Sequence, residues 1–467
     1  MESKPNLPGT AYFIDGFRSL RNFSLTLQPG INAIVGPNGS GKTNFLDFLG
    51  FLDTTVHAGA ITATSDAGGL ARVFSQENTT RKAASLVARI SGVADLRDTI
   101  PTPVEVGYCK FIYEYEVVIK FSRAHSLIYI SDETLKLRKL YNDDGDPAKY
   151  QIVGTIQLAR RSPNIDGMPR WKTGRWVFAN NKRNPMAQTD PIYANQKLKL
   201  KERFGTPALN PDQSLLSVGS RYAFPAIEAV RSAITKGRSF NIFPDKARAP
   251  DDISRPGGIA RDGSGLTSTL HALQLLRRPP RRRLAKMRRA TKNTLDEVVE
   301  WTKLVFSELQ DITTTQDPHT GKYLTTLVIK SPVPNDPPLR LSLQSASDGT
   351  IKWLSLVILI LAGGGIYSLE EPENFLHPRM QQFLVQIIRD SLDEDSVSSY
   401  FLFSTHSETL INHCKPEELV IFEFCDNSTL CHRIENPALV LEEINRTGFG
   451  LGYYYANNSL PQNTRVR

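Results

Sequence analysis

The sequence predicts an α/β fold, and three observations carry that prediction. A near-continuous apolar strand at residues 31–35 runs into a glycine-rich turn, and helix-like apolar spacing (Phe45, Leu46, Phe48, Leu49) follows it. Residues 105–140 are rich in Val, Ile, Tyr and Phe and alternate as antiparallel strands do. Residues 320–467 read strand, buried helix, strand, helix, strand, the order that lays parallel strands under covering helices.

Composition sets the outer bounds. At ~100–200 residues per domain, a chain of 467 residues makes two to three units. A hydrophobic content of 40% supplies a core and excludes global disorder. The first residues are polar and contain Pro, so no leader is expected. The longest apolar stretch, 353–362, is half of the ~20 residues needed to span a bilayer, so it reads as a buried helix and no membrane contact is expected. Cys109, Cys414, Cys425 and Cys431 show no paired C-x-x-C spacing. Neither a zinc site nor a disulfide framework is indicated, and a cytoplasmic location is expected. The net charge of +8 permits an anionic partner without requiring one.

In chain order, 12–14 and 25–27 read as short strands, 31–35 as the strand before the turn, and 113–119 as part of an antiparallel sheet. From 155 to 310, Arg, Lys, Pro and Gly become common, and Pro and Gly interrupt every candidate heptad run, which excludes a long coiled-coil arm. Strands are then expected at 324–329, 366–369 and 400–403, with helices at 353–362 and 379–392. The expected organisation is a head in two halves, 1–155 and 316–467, separated by a mainly helical, basic insertion at 156–315.

The turn Gly36-Pro37-Asn38-Gly39-Ser40-Gly41-Lys42-Thr43 fits G-x-x-x-x-G-K-[ST] in full, with a strand before it and a helix after it. Its glycines let backbone N–H groups turn inward around phosphate oxygens, where side chains would clash. The helix N-terminus adds roughly half a positive charge. Lys42 is expected to neutralise the β- and γ-phosphates of ATP, Thr43 to ligate Mg²⁺, and Asn38 to touch the γ-phosphate.

Glu370 and Glu371 end an apolar strand, at the carboxyl edge where open parallel sheets bind ligands. Adjacent strand residues face opposite sides, so the two can divide the work. Glu370 is the expected Mg²⁺ carboxylate and Glu371 the base that polarises the attacking water. A solvated acidic turn is the plainer alternative; Lys42 upstream weighs against it. Ser345-Ala346-Ser347-Asp348-Gly349-Thr350 precedes the buried helix, a small polar turn that could bind an anion or merely cap the helix. His406 follows the next strand, where a neutral imidazole could hydrogen-bond a γ-phosphate. His377 is read as shaping the turn after the carboxylates.

Arg277 to Lys292 contains nine Lys or Arg and no acid, with Leu284, Met287, Leu295 and Val298 as an apolar stripe. It is a candidate nucleic-acid contact, whose binding would fall steeply with salt. A solvated basic helix, or one docked on an acidic protein, stays open, because no aromatic residues interleave the charges.

The order of these motifs, from Gly36–Asn44 through Ser345–Thr350 and Leu369–Pro378 to Ser404–Ser407, resembles ABC-type ATPases of the overcoming-lysogenization-defect class. The likeness is to the branch that includes ATPase subunits of Septu-type, PARIS-type and retron-associated anti-phage systems. The Glu370-Glu371 pair, in place of the Asp-Glu of transporters, and Ser347-Asp348-Gly349, in place of Ser-Gly-Gly, are typical of that branch. The resemblance covers residues 10–110 and 320–460, and it extends to Asp262–Leu266 and Gly448–Gly452.

The resemblance implies a P-loop ABC-type ATPase head with a mixed sheet flanked by helices and an antiparallel subdomain. It implies Mg²⁺-dependent ATP hydrolysis in a homo-oligomer, with ATP sandwiched between Lys42 of one subunit and Ser347 and Gly349 of another. Gln76 takes the place of a metal-contacting glutamine, and Arg18 that of an early basic residue near the nucleotide. No Asp-x-Asp pair of a Toprim nuclease follows His406, so a separate effector, a nuclease or toxin, is the expected partner. The alternative is a RecF-like DNA-clamping ATPase.

Overall fold

The computed structural model of the chain describes residues 9–75, 83–96, 110–123, 125–141, 151–161, 170–173, 210–217, 225–235, 239–277, 294–362, 367–392, 400–457 and 459. The chain forms two compact units. Unit 1 is Met1–Arg238 with Glu394–Tyr400 and Val420–Arg433; unit 2 is Ser239–Asp393 with Phe401–Leu419 and Ile434–Arg467. In chain order the strands are β1 (Thr10–Asp15), β2 (Phe23–Leu27), β3 (Gly30–Val35), β4 (Ala83–Asp95), β5 (Lys110–Ser122), β6 (Leu127–Tyr141), β7 (Gln151–Arg161) and β8 (Arg170–Thr173). They continue as β9 (Ser239–Phe240), β10 (Leu309–Asp317), β11 (Lys322–Ile329), β12 (Leu339–Ser342), β13 (Tyr367–Glu370), β14 (Tyr400–Ser404), β15 (Leu419–Cys425) and β16 (Ser428–Arg433).

In unit 1, seven strands form one antiparallel sheet in the order β2-β1-β4-β5-β6-β7-β8. Alternation on β5 buries Phe111, Tyr113, Tyr115, Val117 and Ile119 on one face. Glu133 of β6 shares the buried side, fully enclosed, a position where an unpartnered carboxylate would be costly. It accepts from the Tyr115 hydroxyl (2.7 Å), the Ser214 hydroxyl (2.6 Å) and the Leu215 N–H (2.9 Å). One carboxylate thus staples the 210–217 segment to the sheet.

The helix Lys42–Ala58 is pinned by rings. Phe45 meets Tyr12 edge-on (5.6 Å) and also packs on Phe23 and Phe422, while Phe48 meets Phe17 (5.5 Å). Such pairs contribute about 0.5–1.5 kcal/mol each beyond burial. Strands β16, β15 and β3 lie side by side in that order. The β15–β16 hairpin turns at Asp426 and Asn427, whose φ of 49° and 59° suit a two-residue turn with both central residues left-handed.

In unit 2, β13 runs parallel to β14 on one side and to β9 on the other. The expected strand 324–329 lies in β11, but it is not part of this parallel set; it pairs antiparallel with β10 and β12. The burial pattern gives the reason. β14 is buried at all five positions, whereas β11 alternates buried and exposed residues, as a sheet with one solvated face does. The expected apolar helix is Asp348–Ala362, buried continuously from Ile351 to Ile360. Among the described residues, no helix is long and apolar enough to cross a membrane.

Candidate nucleotide site

The glycine-rich turn lies in unit 1. Gly41, at φ 99°, caps the helix Lys42–Ala58 without a side-chain hydrogen bond, so the first turn faces the loop with no capping side chain over it. A Cβ on Gly41 would run into Thr429, and one on Gly36 into the Phe422 carbonyl, so β15 and β16 press on the loop from behind. Thr429 is held there by Ser19 (2.7 Å between hydroxyls), which also accepts from the Asn44 amide at 2.7 Å. Gly39, at φ 81°, has open space around it, and Asn38 is exposed. Lys42 is 6% exposed, and its ammonium donates to the carbonyls of Gly36 (2.8 Å) and Pro37 (3.1 Å). The Ser40 hydroxyl is buried in the loop without a hydrogen-bond partner, a donor suited to a phosphate oxygen.

Arg18 is engaged locally. Its guanidinium donates to Asp47 (2.6 Å), Asn44 (3.2 Å) and the Arg72 carbonyl (2.8 Å). Gln76 lies outside the described residues, as does the basic segment beyond Arg277. Arg277 itself pairs with Asp296 (2.7 Å) and Asp311 (2.8 Å).

The acidic strand end lies in unit 2. Parallel register sets Glu370 opposite Ser404, and Glu371 donates its N–H to the Ser404 carbonyl at 3.1 Å. β13 ends at Glu370. Glu371 belongs to the following turn at φ 42°, so its direction comes from a left-handed backbone and not from the pleat. That conformation costs a non-glycine residue about 1–3 kcal/mol and persists only where the surroundings impose it. The Glu371 carboxylate accepts from the Asn374 amide (3.1 Å) and lies 3.7 Å from His406 Nε2. Glu373, which the sequence reading did not single out, accepts from the Thr405 hydroxyl and the His406 N–H, each at 2.8 Å. It thereby ties the turn after β13 to the turn after β14.

Ser347 is the cap of its helix: its hydroxyl accepts from the Thr350 N–H at 3.2 Å and sits 2.8 Å from the Thr350 hydroxyl. It is exposed. A Cβ on Gly349 would come within 2.8 Å of the Phe375 carbonyl, so close packing against the turn after the carboxylates requires glycine there. His377 caps the helix Pro378–Ser391, its Nδ1 accepting from the Arg379 N–H at 3.3 Å.

Unit 2 also holds a buried cation. Lys352 is 1% exposed and donates to the Ile242 carbonyl at 2.9 Å. Burial pushes its pKa down to about 8, while Glu373 and Glu371 pull the other way. Between that value and the ordinary 10.5, the unfolded chain holds the proton that the folded chain has released, so stability rises with pH across the window. Relative to Lys352→Met protein, the wild type should gain about 3 kcal/mol from one end of the window to the other. Urea unfolding of both proteins at the two ends reads this gain; a constant difference would refute it.

Asn241, one residue past β9, donates to Glu370 at 3.5 Å. Beside them a cavity of about 570 Å³ is lined by Asn241, Arg261, Asp262, Ser264 and Glu370. Neither Asn241 nor Lys352 was legible as a site residue. A two-residue strand leaves no periodic signal, and a lysine in a helix reads as a surface residue.

Comparison with known proteins matches both halves of the motif order. Residues 13–63 match an AAA domain model, and residues 316–412 match a model described as AAA domain, putative AbiEii toxin, Type IV TA system. The first contains the glycine-rich turn, and the second the serine turn, both glutamates and His406. Both models are AAA domains, and the sheets with their helices make the fold α/β, as expected. DNA replication and repair protein RecF of Beutenbergia cavernae is 53% identical over 38 residues, which is 8% of this chain and 10% of that protein. RecF of Erwinia tasmaniensis is 50% identical over 40 residues, 9% of this chain and 11% of that protein. The chain thus spans about a tenth of the length of these relatives. Among solved structures, an SmcHead bound to the C-winged helix domain of ScpA is 14% identical, with a TM-score of 0.43, covering 92% of this chain and 99% of that one. The SMC head domain from Thermotoga maritima is 11% identical, with a TM-score of 0.35, covering 92% and 100%.

Proposed function

We propose that this protein binds ATP through residues 36–43 and hydrolyses it with Glu371 as the base that orients and deprotonates water. The observation that carries this reading is the Glu371 turn: a strained glutamate at the carboxyl end of a parallel strand, its carboxylate beside His406 and the Asn374 amide. His406 is the candidate γ-phosphate sensor.

The Thr43 hydroxyl and the Glu370 carboxylate are hard oxygen donors of the kind Mg²⁺ takes, with Gln76 as a further amide oxygen. Mg²⁺, when bound, supplies charge neutralisation at the phosphates.

ATP also joins copies of the chain in this reading, with Ser347 and Gly349 of one subunit covering the nucleotide on Lys42 of another. The exposed Ser347 turn at the start of a buried helix supports that role. The assembled ATPase holds a separate effector, a nuclease or toxin, in anti-phage defence. The resemblance to defence ATPases supports this, as does the description of the model that matches residues 316–412.

A second reading, DNA clamping, draws on the short stretches of identity with RecF. One experiment separates the two: the mass of Glu371→Gln protein, with and without ATP, alone and co-expressed with its genomic neighbour. The expected result is an ATP-dependent complex containing the neighbour. A homodimer that ignores the neighbour and retains DNA would favour clamping, and a monomer under all conditions would end both readings.

A further inference from the structure

Residues 239–248 belong to no motif, yet they touch both functional ends of unit 2. Pairing of Phe240 with Leu369 carries Asn241 up beside Glu370, whose carboxylate lies 3.5 Å from the Asn241 amide. The next carbonyl, that of Ile242, receives the Lys352 ammonium from within the helix that Ser347 caps. Further along, Arg248 pairs with Asp348 and donates to the Gln344 carbonyl at 3.1 Å, on either side of the Ser347 turn. The segment is held from behind as well: Asn241 N–H donates to the Arg261 carbonyl (2.9 Å) and Phe243 N–H to that of Asp262 (3.0 Å).

Packing alone gives no reason for a lysine at 352. Its helix neighbours Ile351, Trp353 and Leu354 are all buried, and a buried ammonium is costly where an apolar side chain of similar volume would be neutral or stabilising. What the ammonium does is fix the carbonyl next to Asn241. A partly exposed glutamate loses up to about 2 kcal/mol of rotamer freedom when held in one geometry, so a fixed amide beside it lowers what a ligand must later supply.

We propose that Lys352 and Asn241 are positioning residues for Glu370. Lys352 anchors residues 239–248 to the Ser347 helix, and Asn241 holds the Glu370 carboxylate ready for Mg²⁺. The proposal rests on the reading of Glu370 as the Mg²⁺ carboxylate. Loss of such an outer hydrogen bond typically weakens metal affinity about 10–100-fold.

The test is equilibrium binding of a fluorescent ATP analogue to the full chain across a Mg²⁺ titration, for wild type, Glu370→Gln, Lys352→Met and Asn241→Ala. In both positioning variants, affinity without Mg²⁺ should stay within about twofold, while the Mg²⁺ concentration giving half-maximal tightening rises about 10–100-fold. Lys352→Met should also melt no lower than wild type. A wild-type Mg²⁺ response in both variants overturns the proposal. If Lys352→Met does not fold, Asn241→Ala decides, since Asn241 is partly exposed and its loss leaves the core intact. An unchanged Mg²⁺ response in Glu370→Gln sinks the metal reading of Glu370 and this proposal with it, whereas a lost response there alongside normal variants sinks only this one.

Discussion

Glu371→Gln protein should hydrolyse ATP about 10²–10⁴-fold more slowly than the wild type while binding it as tightly. The substitution is nearly isosteric, and its amide oxygen can still accept from Asn374, which donates to the carboxylate at 3.1 Å. The left-handed backbone at φ 42° and the N–H bond to Ser404 do not depend on the side-chain charge, so the turn should keep its shape. What disappears is the basic oxygen. An amide can orient water but cannot take its proton, so the loss belongs to kcat and not to nucleotide affinity. Single-turnover hydrolysis alongside equilibrium binding separates the two quantities. A wild-type rate in this variant would move the base elsewhere, with Glu373 the first candidate because it already binds the His406 N–H.

Lys42→Ala should fail at the earlier step. The ammonium is 6% exposed and is held by two loop carbonyls at 2.8 and 3.1 Å. Removing it deletes the charge proposed to neutralise the phosphates and leaves both carbonyls without their donor. Truncating one partner of a buried, hydrogen-bonded charge typically costs about 2–5 kcal/mol, a factor of roughly 30 to 5,000 in Kd. Calorimetric titration with ATP reads this directly. The fold should survive, because the helix that carries Lys42 is pinned by Phe45 and Phe48 and not by the lysine. Near-normal affinity would show that the loop holds phosphate through backbone N–H groups alone. The two variants therefore differ in kind: one should bind and not turn over, the other should not bind.

The parts of the site that could be read from the chain are those whose chemistry is contiguous. Eight consecutive residues make the glycine-rich turn, and the strand before it and the helix after it stand where the motif requires. The serine turn, the glutamate pair and the histidine likewise announce themselves by their neighbours, and the apolar helix between them reads directly from its run of buried residues. The parallel pairing of β13 and β14 was expected from alternation. The antiparallel pairing of β11 was not, because alternation of element types does not say which strands share a sheet.

Other features exist only by long-range pairing. Lys352 and Ile242 are 110 residues apart, Asn241 and Glu370 are 129 apart, and Glu133 meets Leu215 across 82. No local pattern marks such residues, since a lysine, an asparagine and a glutamate each read as solvated until the fold encloses them. The left-handed turn at Glu371 is of the same kind: its backbone is imposed by the Ser404 carbonyl on a neighbouring strand. The sequence by itself determined which groups are the candidates to hold a phosphate, a divalent cation and a water, because side-chain chemistry and helix-terminal charge are local properties. Tertiary structure alone decided how those groups are held, because strand register and burial arise only when distant segments meet.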